Sequence, residues 1–189
     1  MKQKDIAKKN RITQSVLNIA YEEGITSLSF GKIAKYAKVS SGTPYIYYKD
    51  KVDMLSHIYL EIKKLMDSGL NEKIERATSI EDQLFESVKH FAEKFQKYPK
   101  ERHFMFTIQN NHHLISDSAW ALGMELAQPL FDLYAVAIEQ DILKSNDINV
   151  TNAMLFAPIT WMIENNPEIS NEELQEIIGY SLDSIIKKR

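Results

Sequence analysis

Apolar residues recur along almost the whole chain at intervals of three and four, which is the spacing of one face of an α-helix. The first such stretch ends at Gly24, a residue type that often terminates helices. Pro129 and Pro158 are predicted to bend or divide the helices that contain them. No run alternates apolar and polar residues in the manner of a half-buried strand. The pattern predicts an all-α fold of about nine helices, over residues 5–23, 29–37, 41–47, 50–66, 80–98, 101–111, 117–143, 150–164 and 171–187.

Residues that favour helix starts precede the second, third and fourth of these helices. Ser29 precedes the second helix, and Ser40 or Ser41 can cap the third through a side-chain oxygen. Pro44 falls in the first turn of the third helix, where its missing N–H costs little. The segment 50–53 resembles a capping box at the start of the fourth helix. We therefore expect these three helices to follow one another closely.

The last two predicted helices carry more apolar surface than one core requires. The penultimate helix is apolar on two faces, which are Val150, Met154, Ala157 and Trp161 on one side and Leu155, Ile159, Met162 and Ile163 on the other. A helix that is apolar on two faces needs cover on both of them. The sequence thus predicts a homodimer interface formed by Met154, Trp161, Leu174, Ile178, Leu182 and Ile185. The alternative is a single bundle that covers both faces itself.

Charge is distributed unevenly along the chain. The 189 residues carry a net charge of −3, but residues 1–51 hold ten Lys and Arg against four Asp and Glu, a net of +6. Residues 52–189 carry the remaining net charge of −9. A basic segment joined to an acidic body favours an interaction with a polyanion such as nucleic acid. Chance clustering of solvated charge is the alternative.

Composition excludes several kinds of site. The chain has no cysteine, which excludes disulfides, thiolate-bound metals and thiol catalysis. His112 and His113 are adjacent and would point about 100° apart on a helix, so we expect no metal site. No glycine-rich phosphate loop, nucleophile elbow or paired-carboxylate motif is present, and we expect neither an enzyme nor a bound cofactor. The lysine-rich residues 1–11 do not read as a signal peptide and acidic residues interrupt 119–143, so a soluble cytoplasmic protein is expected.

The most specific motif lies in residues 29–51, which read SFGKIAKYAKVSSGTPYIYYKDK. Two short helices joined by a tight turn form a helix-turn-helix, whose second helix fits the major groove of DNA. Hydroxyl side chains, a glycine that permits close approach and a lysine at the next helix start suit contacts with phosphates and bases. The predicted DNA-binding residues are Ser41, Gly42, Thr43, Tyr45, Ile46, Tyr47 and Lys51.

Helical spacing sorts the residues of this second helix into two faces. Pro44 and Tyr48 share a face that can pack on the preceding helix. Thr43, Ile46 and Tyr47 are predicted to share the opposite face, where the bases would lie. An apolar side chain such as Ile46 at that place can touch a thymine methyl group.

The motif resembles that of the tetracycline-repressor (TetR) family of bacterial transcription regulators, I-A-x-x-A-G-V-S-x-G-T-x-Y-x-Y-F-x-x-K-x-x-L. The positions that carry the resemblance are Ile33, Ala34, Ala37, Val39, Ser40, Gly42, Thr43, Tyr45, Tyr47, Tyr48, Lys51 and Leu55. The resemblance implies a DNA-binding domain over residues 1–50 and a ligand-binding and dimerisation domain over residues 51–189. It further implies that Thr43 and Ile46 face bases. Phosphates would be held by Tyr45, Tyr47 and Lys51.

Three positions depart from the family pattern. Lys38 stands where glycine is usual in the turn, which implies either a different backbone conformation or an added phosphate contact. Tyr48 stands where phenylalanine is usual. Gly31 stands where many members carry a polar or basic side chain that contacts DNA, and glycine has no side chain to make that contact.

The predicted body is rich in aromatic and methionine side chains, most of which are expected to form its core. The resemblance implies an apolar cavity between the middle helices, and the candidate lining residues are Phe91, Phe104, Trp120, Met124 and Trp161. We expect a homodimeric repressor that leaves a pseudo-palindromic DNA operator when a small apolar ligand binds. The alternatives are a helical small-molecule carrier or enzyme whose DNA-binding head is non-functional, and a protein-interaction adaptor.

Overall fold

A computed structural model of the chain describes residues 3–188, of which residues 3 and 4 are described by their backbone alone. Within that range the protein is all-α, as predicted, with two short 3-10 helices and a single isolated bridge between Leu143 and Ile186. The α-helices are α1 (Gln3–Glu23), α2 (Phe30–Tyr36), α3 (Thr43–Tyr47), α4 (Lys51–Asp67), α5 (Leu70–Arg76), α6 (Ile80–Lys97), α7 (Pro99–Gln109), α8 (Asp117–Leu126), α9 (Gln128–Glu139), α10 (Ile148–Asn165) and α11 (Asn171–Ile185).

The helices in the described range number eleven rather than about nine for two reasons. Pro129 lies at the start of α9, and the predicted helix 117–143 is divided there, with Ala127 outside both parts. The short helix α5 was not predicted, since only Leu70 and Ile74 of its seven residues are apolar. By contrast, α10 runs through Pro158 without division.

Helix starts follow the predicted capping residues at most places. The Ser29 side chain accepts a hydrogen bond from the Lys32 N–H at 3.3 Å, which fixes the start of α2. The Asp53 N–H donates to the Asp50 carboxylate at 2.8 Å at the start of α4. The predicted serine cap of α3 is wrong. The N-cap residue is Gly42, which has no side-chain oxygen, and no side-chain cap is formed.

The helices form two compact units. The first consists of the described residues of Met1–Leu65 and Pro99–Glu125. In this unit α1 packs against α2 and α7, and α2 packs against α3. Its core side chains include Ile12, Val16, Ile33, Met54, Ile58 and Phe104. The helix-turn-helix is therefore attached to a continuous apolar core.

The second unit consists of the described residues of Met66–Tyr98 and Leu126–Arg189. Here α6 is central and packs against α5, α9, α10 and α11. The core side chains include Leu84, Val88, Phe95, Leu155, Ile159 and Ile178. Hydrogen bonds from Lys144 N to Ile185 O and from Lys187 N to Ile142 O tie the end of α11 to the segment after α9. The predicted boundary between functional domains at residue 50 stays a prediction.

No single helix in the described part of the chain is long and apolar enough to cross a membrane. Length and composition would permit it only for α8 and α9 taken together as a broken pair.

Candidate nucleic-acid interface

The turn between α2 and α3 is built around a left-handed residue. Lys38 has a φ angle of 52°, in the region that glycine adopts most readily. The Val39 N–H reaches back to the Ala34 carbonyl at 3.0 Å, and the Lys38 N–H donates to the Lys35 carbonyl at 3.2 Å. These bonds satisfy carbonyls at the end of α2. Lys38 therefore adopts a backbone conformation that suits the glycine of the family pattern.

One side of α3 is fixed to the core of the first unit. Tyr48, directly after α3, is 1% exposed, and Pro44 is also buried. The packing role predicted for these two residues is consistent with their burial. Because α3 is only five residues long, this attachment determines which side chains point outward.

The outward surface of α3 carries Tyr45 and Ile46, which are 65% and 78% exposed. The Tyr45 ring meets the Phe30 ring edge-to-face, with 4.5 Å between centroids, so its position is fixed although it faces solvent. Ser41 and Gly42 are exposed just before the helix. These four predicted residues lie on accessible surface.

Thr43 is placed differently from the sequence prediction. It is 6% exposed, and its hydroxyl lies 2.7 Å from the Ser40 hydroxyl, with which it shares a hydrogen bond. Thr43, Ile46 and Tyr47 therefore do not form one outward face, and that interpretation was wrong. The reason is that α3 makes little more than one turn, whose first residue turns back toward the α2–α3 turn.

Tyr47 and Lys51 already bind backbone oxygens of their own unit. The Tyr47 hydroxyl donates to the Asp5 carbonyl of α1 at 3.2 Å. The Lys51 ammonium donates to the Ile25 carbonyl at 3.1 Å, in the 3-10 helix that follows α1. Both side chains are half-buried. Tyr47 thus holds α1 against α3, and Lys51 holds the segment after α1 against the start of α4.

Several basic side chains of the first unit are paired with carboxylates. Lys32 binds Glu23, and Lys9 binds Glu61 at 2.6 Å. The hydrogen bond from Lys32 lowers the pKa of the Glu23 carboxyl. Lys35, Lys38 and Lys49 are exposed around the helix-turn-helix. They give the surface near α3 a positive charge suited to phosphates.

The predicted dimer residues fall into two groups. Met154 and Trp161 are 44% and 62% exposed on α10, so a second chain can reach them. The predicted residues of α11 are Leu174, Ile178, Leu182 and Ile185. They are at most 6% exposed and pack in the core of the second unit. Their assignment to a dimer interface was wrong. An apolar stripe satisfied by its own unit was mistaken for one that needs a partner.

The predicted ligand residues are divided between the two units. Phe91 and Trp161 belong to the second unit, whereas Phe104, Trp120 and Met124 belong to the first. Trp161 and Met124 face solvent and cannot line an internal cavity of their own unit. A groove of about 360 Å³ in the first unit is lined by other residues, which belong to α4, to α8 and to the segments just before them.

Aromatic rings of the second unit gather around the buried Phe91. The Phe91 ring lies 5.7 Å from that of Phe156 and 6.0 Å from that of Phe95. Phe91 is the one predicted ligand residue that is both buried and in the second unit, and these rings surround it.

In the described residues no group of three or more His, Asp or Glu could hold a metal ion.

Comparison with known proteins identifies this architecture. A TetR-family transcription regulator from Marinobacter aquaeolei VT8 superposes over 100% of both chains with a TM-score of 0.87 and 18% identity. The chain has the fold of the TetR-family transcription regulators. The fatty acid degradation regulator FadR from Bacillus halodurans is also similar in structure, with a TM-score of 0.67 and 19% identity over 93% of each chain.

A curated relative adds sequence similarity to that of the fold. The fatty acid metabolism regulator protein of Bacillus subtilis (strain 168) is 34% identical over 93 residues. The aligned segment spans 49% of this chain and 47% of that protein, about half of each. No family model matches the chain. The TetR resemblance drawn from the motif is thus confirmed at the level of the fold.

Proposed function

We propose that the protein is a transcription regulator that binds operator DNA as a homodimer, represses, and is released by a small apolar ligand. The observation that carries this proposal is the outward placement of Tyr45 and Ile46 on a short helix anchored by Pro44 and Tyr48. A helix held in this way can enter the major groove of DNA. The protein then acts by binding rather than by catalysis, in the cytoplasm where its DNA target lies.

Homodimerisation is supported by the exposed face of α10. Val150, Met154 and Trp161 are each more than 40% exposed there, and all belong to one helix face. Burial of such side chains against a second copy would stabilise a dimer. Two heads related by a two-fold axis would read a pseudo-palindrome whose half-sites lie about 34–36 Å apart, or a multiple of that spacing.

The ligand is inferred from the relatives and from the aromatic cluster around Phe91. The Bacillus halodurans and Bacillus subtilis relatives carry names that refer to fatty acid degradation and metabolism. We infer an apolar ligand of the fatty acid class, for which the rings of Phe91, Phe95 and Phe156 offer suitable contacts. A hundredfold loss of DNA occupancy requires a preference of about 2.7 kcal/mol for the non-binding state.

Measurement of DNA affinity against salt tests the proposed function. Genomic DNA fragments are mixed with the full chain at several salt concentrations, and the bound fraction is measured. We expect steep weakening with rising salt, because phosphate contacts release counterions. No binding even at low salt would support the carrier, enzyme or adaptor alternatives. Release of bound DNA by added fatty acids, with no release by matched detergents, tests the ligand class.

The role of Lys51 is tested on the same DNA. Lys51→Ala should weaken binding and reduce the salt slope by about one, because one phosphate contact is lost. Lys64→Ala, which removes an exposed lysine from the last turn of the same helix, is the matched control. An unchanged slope in a folded Lys51→Ala variant would remove Lys51 from the interface.

A further inference from the structure

The recognition segment lacks the side chains that usually identify bases. Residues 39–48 read VSSGTPYIYY and contain no Lys, Arg, Asp, Glu, Asn or Gln. Arg and Lys read guanine, Asn and Gln read adenine, and Asp and Glu read cytosine, each through hydrogen bonds to base edges in the major groove. The segment therefore reads DNA by hydroxyl groups and by apolar contact.

The structure leaves one aliphatic side chain of this segment free to make that contact. Pro44 and Thr43 are buried, which withdraws the Thr43 methyl group. Val39 is half-buried and lies in the turn before α3 rather than on the helix. Ile46 is 78% exposed, beside a Tyr45 ring that is held against Phe30. Because isoleucine is stiff at χ1, its ordering on DNA costs little conformational entropy.

An apolar side chain in the major groove has one complementary feature there, the C5-methyl group of thymine. We propose that Ile46 determines operator specificity by packing on thymine C5-methyl groups in each half-site. The methyl group itself, rather than a hydrogen-bonding edge, is what the residue detects. This inference rests on the proposed DNA-binding function.

Replacement of thymine by uracil tests this contact, since uracil lacks only the methyl group. Bound duplexes are first selected from a random library with the full chain, and each thymine of the selected site is then replaced singly by uracil. We expect about fourfold weaker binding at one or two positions in each half-site, from the free energy of burying one methyl group. In a second test, the contacted thymine is replaced by cytosine, which should weaken binding. Replacement of that cytosine by 5-methylcytosine restores the methyl group and should recover part of the lost affinity.

Variants assign the effect to Ile46. The Ile46→Ala protein should bind the thymine site more weakly and should no longer respond to uracil at those positions. Val52→Ala removes methyl groups from another exposed apolar residue, at 44% exposure on α4, and should keep the full uracil response. Ile46→Asn should shift the selected base toward adenine.

Distinct outcomes separate this inference from the proposed function. DNA binding that ignores uracil at every thymine overturns the methyl contact and leaves the regulator intact. An equal uracil response in Ile46→Ala also overturns it, because another residue then makes the contact. Failure to select any duplex overturns the proposed function and the inference together.

Discussion

At the scale of single residues, Lys38 is the residue whose conformation the sequence motif leaves open and the structure defines. The family pattern has glycine there, and Lys38 keeps the left-handed backbone at φ 52°. A side chain with a Cβ pays about 1–2 kcal/mol for that conformation. The motif shows which residue stands in place of glycine, but only the structure shows that the backbone is left-handed there.

Lys38→Gly should raise the free energy of unfolding by about 0.5–1 kcal/mol. Relief of the left-handed strain exceeds the larger unfolded-chain entropy of glycine. The measurement is urea denaturation. Lys35→Gly, an exposed helical position of α2, should lower stability by about 1 kcal/mol. Equal losses in both variants would show that position 38 is not strained.

His90 is a buried residue that links α6 to the end of α4. It is 3% exposed, and its Nε2–H donates to the Met66 carbonyl at 2.8 Å. Burial lowers the pKa of His90 from its ordinary value of 6.5, and the nearby ammonium groups of Lys73 and Lys94 lower it further. The Met66 carbonyl and Glu93 act in the opposite direction on that pKa, but the net shift is downward.

The lowered pKa predicts that the protein loses stability as the pH falls below about 6.5. The unfolded chain takes up the His90 proton first, so acid favours unfolding until the pH reaches the lowered pKa of the folded state. Denaturation at a series of pH values measures this loss. His90→Gln, which can still donate to Met66, should reduce it, whereas His113→Gln at an exposed position should not.

At the scale of helices, α4 and α8 meet at a glycine within the first unit. A Cβ on Gly123 would lie 2.5 Å from the Tyr59 ring, which is itself 1% exposed. Tyr59 is also stacked on Trp120, with 6.2 Å between centroids. The ring has no room to move away, so α8 requires glycine at this position.

Gly123→Ala should lower the free energy of unfolding by about 1–3 kcal/mol through overpacking. Gly179→Ala in α11 is the matched control, because nothing lies within 4 Å of its added Cβ. The control should stabilise α11 by up to about 1 kcal/mol, as expected for Gly to Ala in a helix. Thermal and urea unfolding would distinguish the two, and a stabilised Gly123→Ala would contradict the packing described.

Helices were predictable where one local signal determines them. Ser29 and Pro129 mark boundaries that the structure keeps. The helix α5 was missed because Leu70–Arg76 has too few apolar residues to show a period. The burial of Thr43 was missed for a different reason. In a helix of barely more than one turn, orientation depends on contacts outside the helix rather than on spacing.

At the scale of the whole molecule, the apolar pattern of α10 and α11 predicted burial but not its cause. The same periodicity describes a stripe covered by the chain's own core and one covered by a second copy. Ile178 is fully buried in its own unit, whereas Trp161 is 62% exposed. The difference arises from tertiary packing, which a single sequence does not display.

Trp161→Arg should convert the proposed dimer to monomer while each chain stays folded. The substitution removes an aromatic side chain and places a charge at the centre of the proposed apolar interface. The expected cost is more than about 2 kcal/mol, or roughly thirtyfold in dimer affinity. Light scattering measures the molar mass. Leu122→Arg, at a 48% exposed position of α8, should leave the mass unchanged. A dimeric Trp161→Arg protein would exclude this α10 face.

If the chain binds DNA as proposed, the hydrogen bonds of Tyr47 and Lys51 to the Asp5 and Ile25 carbonyls limit how tightly one DNA-binding domain holds it. A phosphate that accepts from either donor first displaces an oxygen of the protein, so docking exchanges one bond for another. Each exchange gives only a modest gain. A single DNA-binding domain should consequently bind weakly and dissociate quickly. In the proposed dimer, long residence on an operator would come from two linked domains, which rarely dissociate at the same time.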